Sequence, residues 1–322
     1  MFCLRLHLGV VALQRAPCGA AEALRVELPG LRLAHPVMNA SGVLGSSPEG
    51  FRRLAAAGVS AIVTKSFTVE PRRGYPTPIA VPLEYGMLNA VGLSNPGLEG
   101  LPGLVKAAKG LGLPVVASIA ASSPGEAERL TAAAVEAGAD AVELNLSCPH
   151  ARGRGLVLLW DRRAAASVVS AAASVSDVPV YAKLGLVDNL PAAASRLLEA
   201  GAAGLVLLNT LPAMMIDVYA AAPVLGNRVG GLSGPAMHPV AVRAVYEVYA
   251  ETGAPIIGVG GVEDWASAAE LILAGASAVQ IGTGIVRRGE QVVCETARGL
   301  LEWLRLLGYA SIREAVGAAQ RG

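Results

Sequence analysis

Glu136-Ala-Gly-Ala-Asp-Ala-Val-Glu-Leu-Asn-Leu-Ser-Cys-Pro149 carries the end of one helix, a short connection and the whole of one buried strand. Its glycine supplies the left-handed position at which a helix stops, and the small residues around it let helix and strand pack closely. The strand, Ala141–Leu146, is apolar enough to be covered on both faces, as parallel strands are. The same device recurs as Ala56-Ala-Gly-Val-Ser-Ala-Ile-Val63, Glu199-Ala-Gly-Ala-Ala-Gly-Leu-Val206 and Leu273-Ala-Gly-Ala-Ser-Ala-Val-Gln280. Such repetition is the grammar of βα units. Strand candidates are Val37–Ala40, Ile62–Lys65, Val115–Ala120, Ala141–Leu146, Val180–Leu184, Gly204–Leu208, Ile256–Val259 and Ala278–Gly282. Eight of them, with helical patterns between, predict an α/β fold of the closed (β/α)8 TIM-barrel type rather than an open doubly wound sheet.

At 322 residues the chain holds one such barrel, of roughly 250 residues, with insertions. Residues 1–23 are expected to be a disordered N-terminal extension and residues 24–322 the barrel. Within that extension the apolar stretch Leu8–Leu13 is too short for a secretion signal. Lys+Arg of 26 against Asp+Glu of 25 gives a net charge of +1, which offers no electrostatic footprint for nucleic acid or an anionic membrane. No apolar run reaches the roughly eighteen residues of a membrane helix. The four cysteines, Cys3, Cys18, Cys148 and Cys294, have no C-x-x-C pairing and no histidine at ligand spacing, so neither a disulfide framework nor a metal site is expected. A reducing, cytoplasmic setting is the simplest inference.

In a barrel of this kind the chemistry sits at the carboxyl ends of the strands. Asn145 and Cys148 fall there, with Pro149 breaking the chain directly after. Two connections on the same face are too long for ordinary loops: Ser66–Pro102 after the second strand and Thr210–Pro239 after the sixth. Length of that order marks a cover or a binding element. Gly258-Val-Gly-Gly261 and Ile281-Gly-Thr-Gly284 close the seventh and eighth strands. Those are the places where barrels bind a phosphate with backbone N–H groups, and a missing Cβ lets the main chain approach the oxygens.

Read in order, Asn39-Ala-Ser-Gly42, Lys65 with Glu70-Pro-Arg72, Gly74-Tyr-Pro-Thr-Pro78, Gly86-Met-Leu-Asn-Ala-Val-Gly-Leu93, Glu143–Pro149, Ala182-Lys-Leu184, Asn209-Thr210, Gly230-Gly-Leu-Ser-Gly-Pro235, Gly260-Gly261 and Gly282-Thr283 form a specific set. By them the chain from about Leu24 to Leu307 resembles the dihydroorotate dehydrogenases, FMN-dependent enzymes of pyrimidine biosynthesis, and most closely their class 1B catalytic subunits. The resemblance implies that Cys148 is the base that removes the C5 proton of dihydroorotate while hydride leaves C6 for FMN. It implies substrate contacts from Lys65, Asn89, Ala90, Val91, Gly92, Leu93, Asn145, Asn209 and Thr210. For FMN it implies Ser41, Lys65, Ser66, Ser118, Asn145, Lys183, Leu208, Gly234, Gly260, Gly261, Gly282 and Thr283. Lys183, charged within an apolar strand, is costly as a structural residue and useful beside a reduced flavin.

Class 1B further implies a partner subunit that carries FAD and an iron–sulfur cluster, electrons passed on to NAD, and assembly as a homodimer or heterotetramer. Alternatives left open are a class 1A-like enzyme using fumarate and another FMN barrel reductase acting on a pyrimidine. A tRNA-uridine reductase should carry a basic RNA-binding appendage, which the charge balance does not offer. A non-redox phosphosugar barrel would leave Asn89, Asn145 and Asn209 without a purpose. The chain departs from the family pattern at Tyr75, His150, Gly185-Leu186 and Ser118. Only Ser118, in place of an Asn, touches the expected cofactor set.

Overall fold

The computed structural model describes Cys18, residues 21–147 and residues 161–321. Eight parallel strands run as β1 (Val37–Asn39), β2 (Ile62–Val63), β3 (Val115–Ile119), β4 (Ala141–Asn145), β5 (Val180–Leu184), β6 (Gly204–Leu207), β7 (Ile256–Val259) and β8 (Ala278–Ile281). They pair in the order 1-8-7-6-5-4-3-2, so that chain neighbours are also sheet neighbours, and all eight expected strands are present. The helices between them are α1 (Pro48–Ala57), α2 (Leu101–Lys109), α3 (Pro124–Glu136), α4 (Arg162–Ser174), α5 (Leu190–Glu199), α6 (His238–Thr252) and α7 (Trp265–Ala274). After β8 come the short α8 (Thr283–Arg288) and α9 (Val292–Leu307). This is the TIM barrel that the repeat predicts.

Local chemistry explains the alternation. Ser47, Ser123, Asn189 and Asp264 accept backbone N–H bonds at the starts of α1, α3, α5 and α7, and the first three of these helices also have proline in the first turn. At the other end, Gly58 stops α1 with φ of 80°, and the glycines of the other three repeat copies, Gly138, Gly201 and Gly275, are also at positive φ. β3, β4 and β5 are buried along their whole length, which is why their sequences read as continuous apolar runs.

The two ends of the barrel differ. A hairpin of Val26–Leu28 and Leu31–Leu33 closes the amino-terminal end, with Leu28, Leu31 and Leu33 buried and the Tyr181 hydroxyl donating to Pro29 O at 2.7 Å. At the carboxyl end, the two long connections build one antiparallel sheet of four strands, ordered Leu211–Ala213, Gly230–Ser233, Gly86–Asn89 and Ala80–Leu83. Asn89 is in register with Gly231. The insertions are therefore a single cover and not two independent loops.

The cysteines correct one expectation. Cys18 and Cys294 form a disulfide with Cα atoms 5.0 Å apart, although no disulfide was expected from their spacing. The two are 276 residues apart in the chain, and they meet because Cys18 lies against the carboxyl end of α1 while Cys294 lies on α9. A pairing made by tertiary packing leaves no local spacing pattern. Among the described residues no helix is long and apolar enough to cross a membrane.

Candidate active site

A cavity of ≈ 690 Å³ opens at the carboxyl ends of the strands, beneath the four-stranded cover. Each strand end contributes what its terminal residues allow. Ser41 follows β1, Lys65 and Ser66 follow β2, Asn145 ends β4, and Lys183 stands one residue before the end of β5. Leu208, Asn209 and Thr210 follow β6, Gly260 and Gly261 follow β7, and Gly282 and Thr283 follow β8. From the cover come Asn89, Ala90, Val91, Gly92 and Leu93 on one connection and Gly234 on the other. The structure thus brings every proposed site residue to one cavity except the cofactor residue Ser118 and the proposed base Cys148. Ser118 is fully buried behind the wall, and Cys148 lies outside the described residues.

The wall is a continuous hydrogen-bond network. Asn145 Nδ2 donates to Ser66 Oγ at 3.1 Å, and Asn145 Oδ1 accepts from the Ser147 N–H at 3.1 Å and its hydroxyl at 2.9 Å. Asn209 Nδ2 donates to Ser147 Oγ at 2.8 Å, and Asn209 Oδ1 accepts from the Thr210 N–H at 2.8 Å. Ser147 is therefore the post that orients two amides from different strands, and it is completely buried. In the sequence, a serine in a loop carries no signal by itself. Its position between Asn145 and Cys148 was the available clue.

The floor is charged. Glu143, two residues before Asn145 and so on the same face of β4, points inward. Its Oε1 lies 3.2 Å from Lys183 Nζ, and its Oε2 accepts from Gln280 Nε2 at 2.8 Å. Lys183 also donates to Gln280 Oε1 at 3.0 Å. Ser118 donates to Glu143 Oε1 at 3.2 Å and lies 2.9 Å from Ser66 Oγ, so the residue that departs from the family pattern links this floor to the wall. Lys183 was expected at the site; Glu143 and Gln280 were not singled out, although polar residues inside apolar strands were the signal.

The rim is held from behind. His238 Nδ1 donates to Gly260 O at 2.7 Å, and its Nε2 lies 3.5 Å from Glu270 Oε2. Gly261 has φ of 71°, and a Cβ there would fall 2.5 Å from His238 Cβ. Thr283 Oγ1 donates to Ser233 Oγ at 2.7 Å, tying the loop after β8 to the cover. At Gly231 a Cβ would lie 2.1 Å from Thr210 Oγ1, so only glycine lets the cover approach that side chain.

Comparison with known proteins agrees with this arrangement. Residues 23–304 match the family model described as dihydroorotate dehydrogenase. A protein of Aeropyrum pernix provisionally named dihydroorotate dehydrogenase A (fumarate) is 51% identical over 92% of this chain and 98% of its own length. The dihydroorotate dehydrogenase B (NAD(+)) catalytic subunit of Pyrococcus horikoshii is 44% identical over 92% of this chain and 97% of its own. Among solved structures, DHODH of Eimeria tenella in complex with ferulenol superposes with a TM-score of 0.80 at 23% identity, covering 96% of this chain and 91% of that one, a likeness of fold. Fold, family model and close relatives converge: the chain belongs to the dihydroorotate dehydrogenase family.

Proposed function

We propose that the chain oxidises dihydroorotate to orotate in pyrimidine biosynthesis with FMN bound in the cavity beneath the cover. The observation that carries this reading is the single cavity that holds both an amide array, Asn89, Asn145 and Asn209, and a glycine rim, Gly234, Gly260, Gly261 and Gly282. The residues fit the cofactor. A volume of ≈ 690 Å³ is in the range of cofactor pockets, Lys65 and Lys183 supply positive charge, and the rim supplies backbone N–H groups with no side chain in front of them. Bound FMN supplies the two-electron acceptor for the hydride that leaves C6.

The chain's own residues do the rest. Gly260, Gly261, Gly282 and Thr283 hold the phosphate, with Gly234 closing from the cover, and Ser41, Ser66, Asn145, Leu208 and Lys183 surround the ring. Asn89, Asn145, Asn209 and Thr210, with Lys65 and the run Ala90–Leu93, hold the substrate, whose carboxylate and amide edges suit a cation and groups that both donate and accept. Ser147 fixes two of those amides before substrate arrives. Cys148 is assigned as the base that takes the C5 proton, on its sequence position after Ser147. A thiol must lose its own proton to do so, which neighbouring donors or cations favour.

Electrons would then pass to a partner subunit and on to NAD, a reading that the catalytic-subunit and NAD(+) names of the relatives support. That the partner carries FAD and an iron–sulfur cluster is part of the same proposal and rests on the family resemblance alone. Self-association into a homodimer, or a heterotetramer with that partner, and a cytoplasmic setting belong to the same reading, the last resting on the family alone because Cys18 and Cys294 are paired. The Aeropyrum relative's name favours a second one, with fumarate as acceptor. The test is the purified chain alone with dihydroorotate and, in turn, a dye, NAD or fumarate. Turnover with the dye and none with NAD is expected. Efficient NAD reduction without a partner overturns the two-subunit reading, and brisk turnover with fumarate replaces it with the second.

A further inference from the structure

We infer that Glu143 is the buried counter-ion of Lys183 and sets how much positive charge the cavity floor presents to the flavin, so tuning the flavin's affinity for electrons. The inference rests on the flavin reading given above. Lys183 lines the cavity and Glu143 does not; the carboxylate stands behind the ammonium, 3.2 Å away. Both are withdrawn from water, with side-chain exposures of 5% and 0%. Salt therefore screens them little, and their charges act on the cavity undiminished by solvent.

Stability alone does not account for the pair. A buried ion pair is commonly matched or bettered by well-packed apolar residues of similar volume, because desolvation consumes most of the Coulombic gain. Barrel interiors are ordinarily filled by branched apolar side chains. Here four strands instead supply polar groups to one point: Ser118 on β3, Glu143 on β4, Lys183 on β5 and Gln280 on β8. Gln280 spans both charges, its amide donating to the carboxylate and its carbonyl accepting from the ammonium, which fixes their separation. Two of the three N–H bonds of Lys183 are thereby directed away from the cavity, and the ammonium arrives there partly neutralised.

The route through Ser118 adds a second link. Glu143 accepts from Ser118, which lies within hydrogen-bond distance of Ser66, which in turn lies 3.3 Å from Ser41. Ser66 and Ser41 line the cavity. The carboxylate is thus coupled to the floor on the Lys183 side and to the wall on the hydroxyl side.

The experiment uses the FMN-loaded chain and sulfite, which adds to an oxidised flavin and leaves negative charge on the ring, so its affinity reports the positive charge nearby. Wild type, Glu143→Gln, Lys183→Met and the double variant are titrated, and the midpoint potential of each is measured against a reference dye. Glu143→Gln should bind sulfite about tenfold tighter and shift the potential upward, since it removes a negative charge from a poorly screened site. Lys183→Met should move both in the opposite direction, and the double variant should return toward wild type. Unchanged sulfite affinity and potential in folded Glu143→Gln overturn the inference and leave the pair a structural one. Should Glu143→Gln fail to fold, the step from Lys183→Met to the double variant decides in its place: tighter sulfite binding is expected, and no change overturns. A wild-type chain that takes up no FMN overturns the flavin reading itself, and this inference with it.

Discussion

The Asn39 side chain holds both backbone polar groups of Val63: its Nδ2 donates to Val63 O and its Oδ1 accepts from Val63 N–H, each at 2.9 Å. Among the described residues β1 and β2 share no strand ladder; the buried Asn39 amide bridges that seam by imitating a neighbouring peptide, beside the bonds of Ser60 to Val37 O and of Ser41 to Thr64 O. Lys65 stands two residues after Val63, just beyond the end of β2. The seam is therefore also the mount of a site residue.

Asn39→Ala should lower stability by about 1–3 kcal/mol for each Val63 group left unpaired, read as a lower urea midpoint at unchanged slope. It should also weaken flavin retention, because Lys65 and Ser66 lose their anchor. Asn39→Asp keeps the acceptor but sets a carboxylate against the Val63 carbonyl, and should be no better.

For the phosphate rim, Gly282→Ala is the informative change. An added Cβ at Gly282 meets only Ala40 Cβ, at 3.3 Å, so the barrel should tolerate it while the FMN phosphate loses room. The flavin-to-protein ratio after gel filtration should fall with circular dichroism unchanged. Gly261→Val tests the same rim less cleanly, since its positive φ and the contact with His238 add strain to the loss of space.

Eight strands could be read from the sequence because each is buried on both faces and each repeat glycine stops a helix. The four-stranded cover could not, since it pairs Gly86–Asn89 with Gly230–Ser233 from the other long connection, and the outer strand Leu211-Pro-Ala213 carries a residue that strands disfavour. Most of the site was legible through the family motifs. Ser147, Glu143 and Gln280 were not, because their roles appear only when β4, β5 and β8 are in register. Ser118 was expected at the flavin and lies outside the cavity lining, behind Ser66 and within hydrogen-bond distance of it.

Buried His35 predicts an acid limit to stability. Its Nδ1 accepts from the Val37 N–H at 3.2 Å, so Nε2 carries the proton and donates to Gly58 O at 2.8 Å, and the ring is neutral. Burial pushes its pKa below the usual 6.5, offset in part by the Gly58 bond. The native state then binds fewer protons than the unfolded chain below that pH, so stability is complete above 6.5 and falls as pH drops from there through the lowered native value. Melting temperature against pH should decline over that window in wild type and decline less in His35→Gln.

The Cys18–Cys294 disulfide predicts a thiol count. Alkylation of the denatured chain without reductant should label two of the four cysteines, and with reductant all four, read by intact mass. Cys294→Ser should lower the melting temperature, since the bridge closes almost the whole chain and constrains the unfolded state.

The central claim is that this cavity holds FMN and that Cys148 starts its reduction by dihydroorotate. Anaerobic mixing of the flavin-loaded chain with dihydroorotate, followed at the flavin absorbance in wild type and Cys148→Ala, tests it directly. Wild type should bleach rapidly with one orotate formed per flavin, while the variant keeps its flavin and bleaches slower by about 10²–10⁴-fold, the usual worth of a positioned base. A chain without flavin, a flavin that dihydroorotate leaves oxidised, or a Cys148→Ala variant that bleaches at the wild-type rate would contradict it.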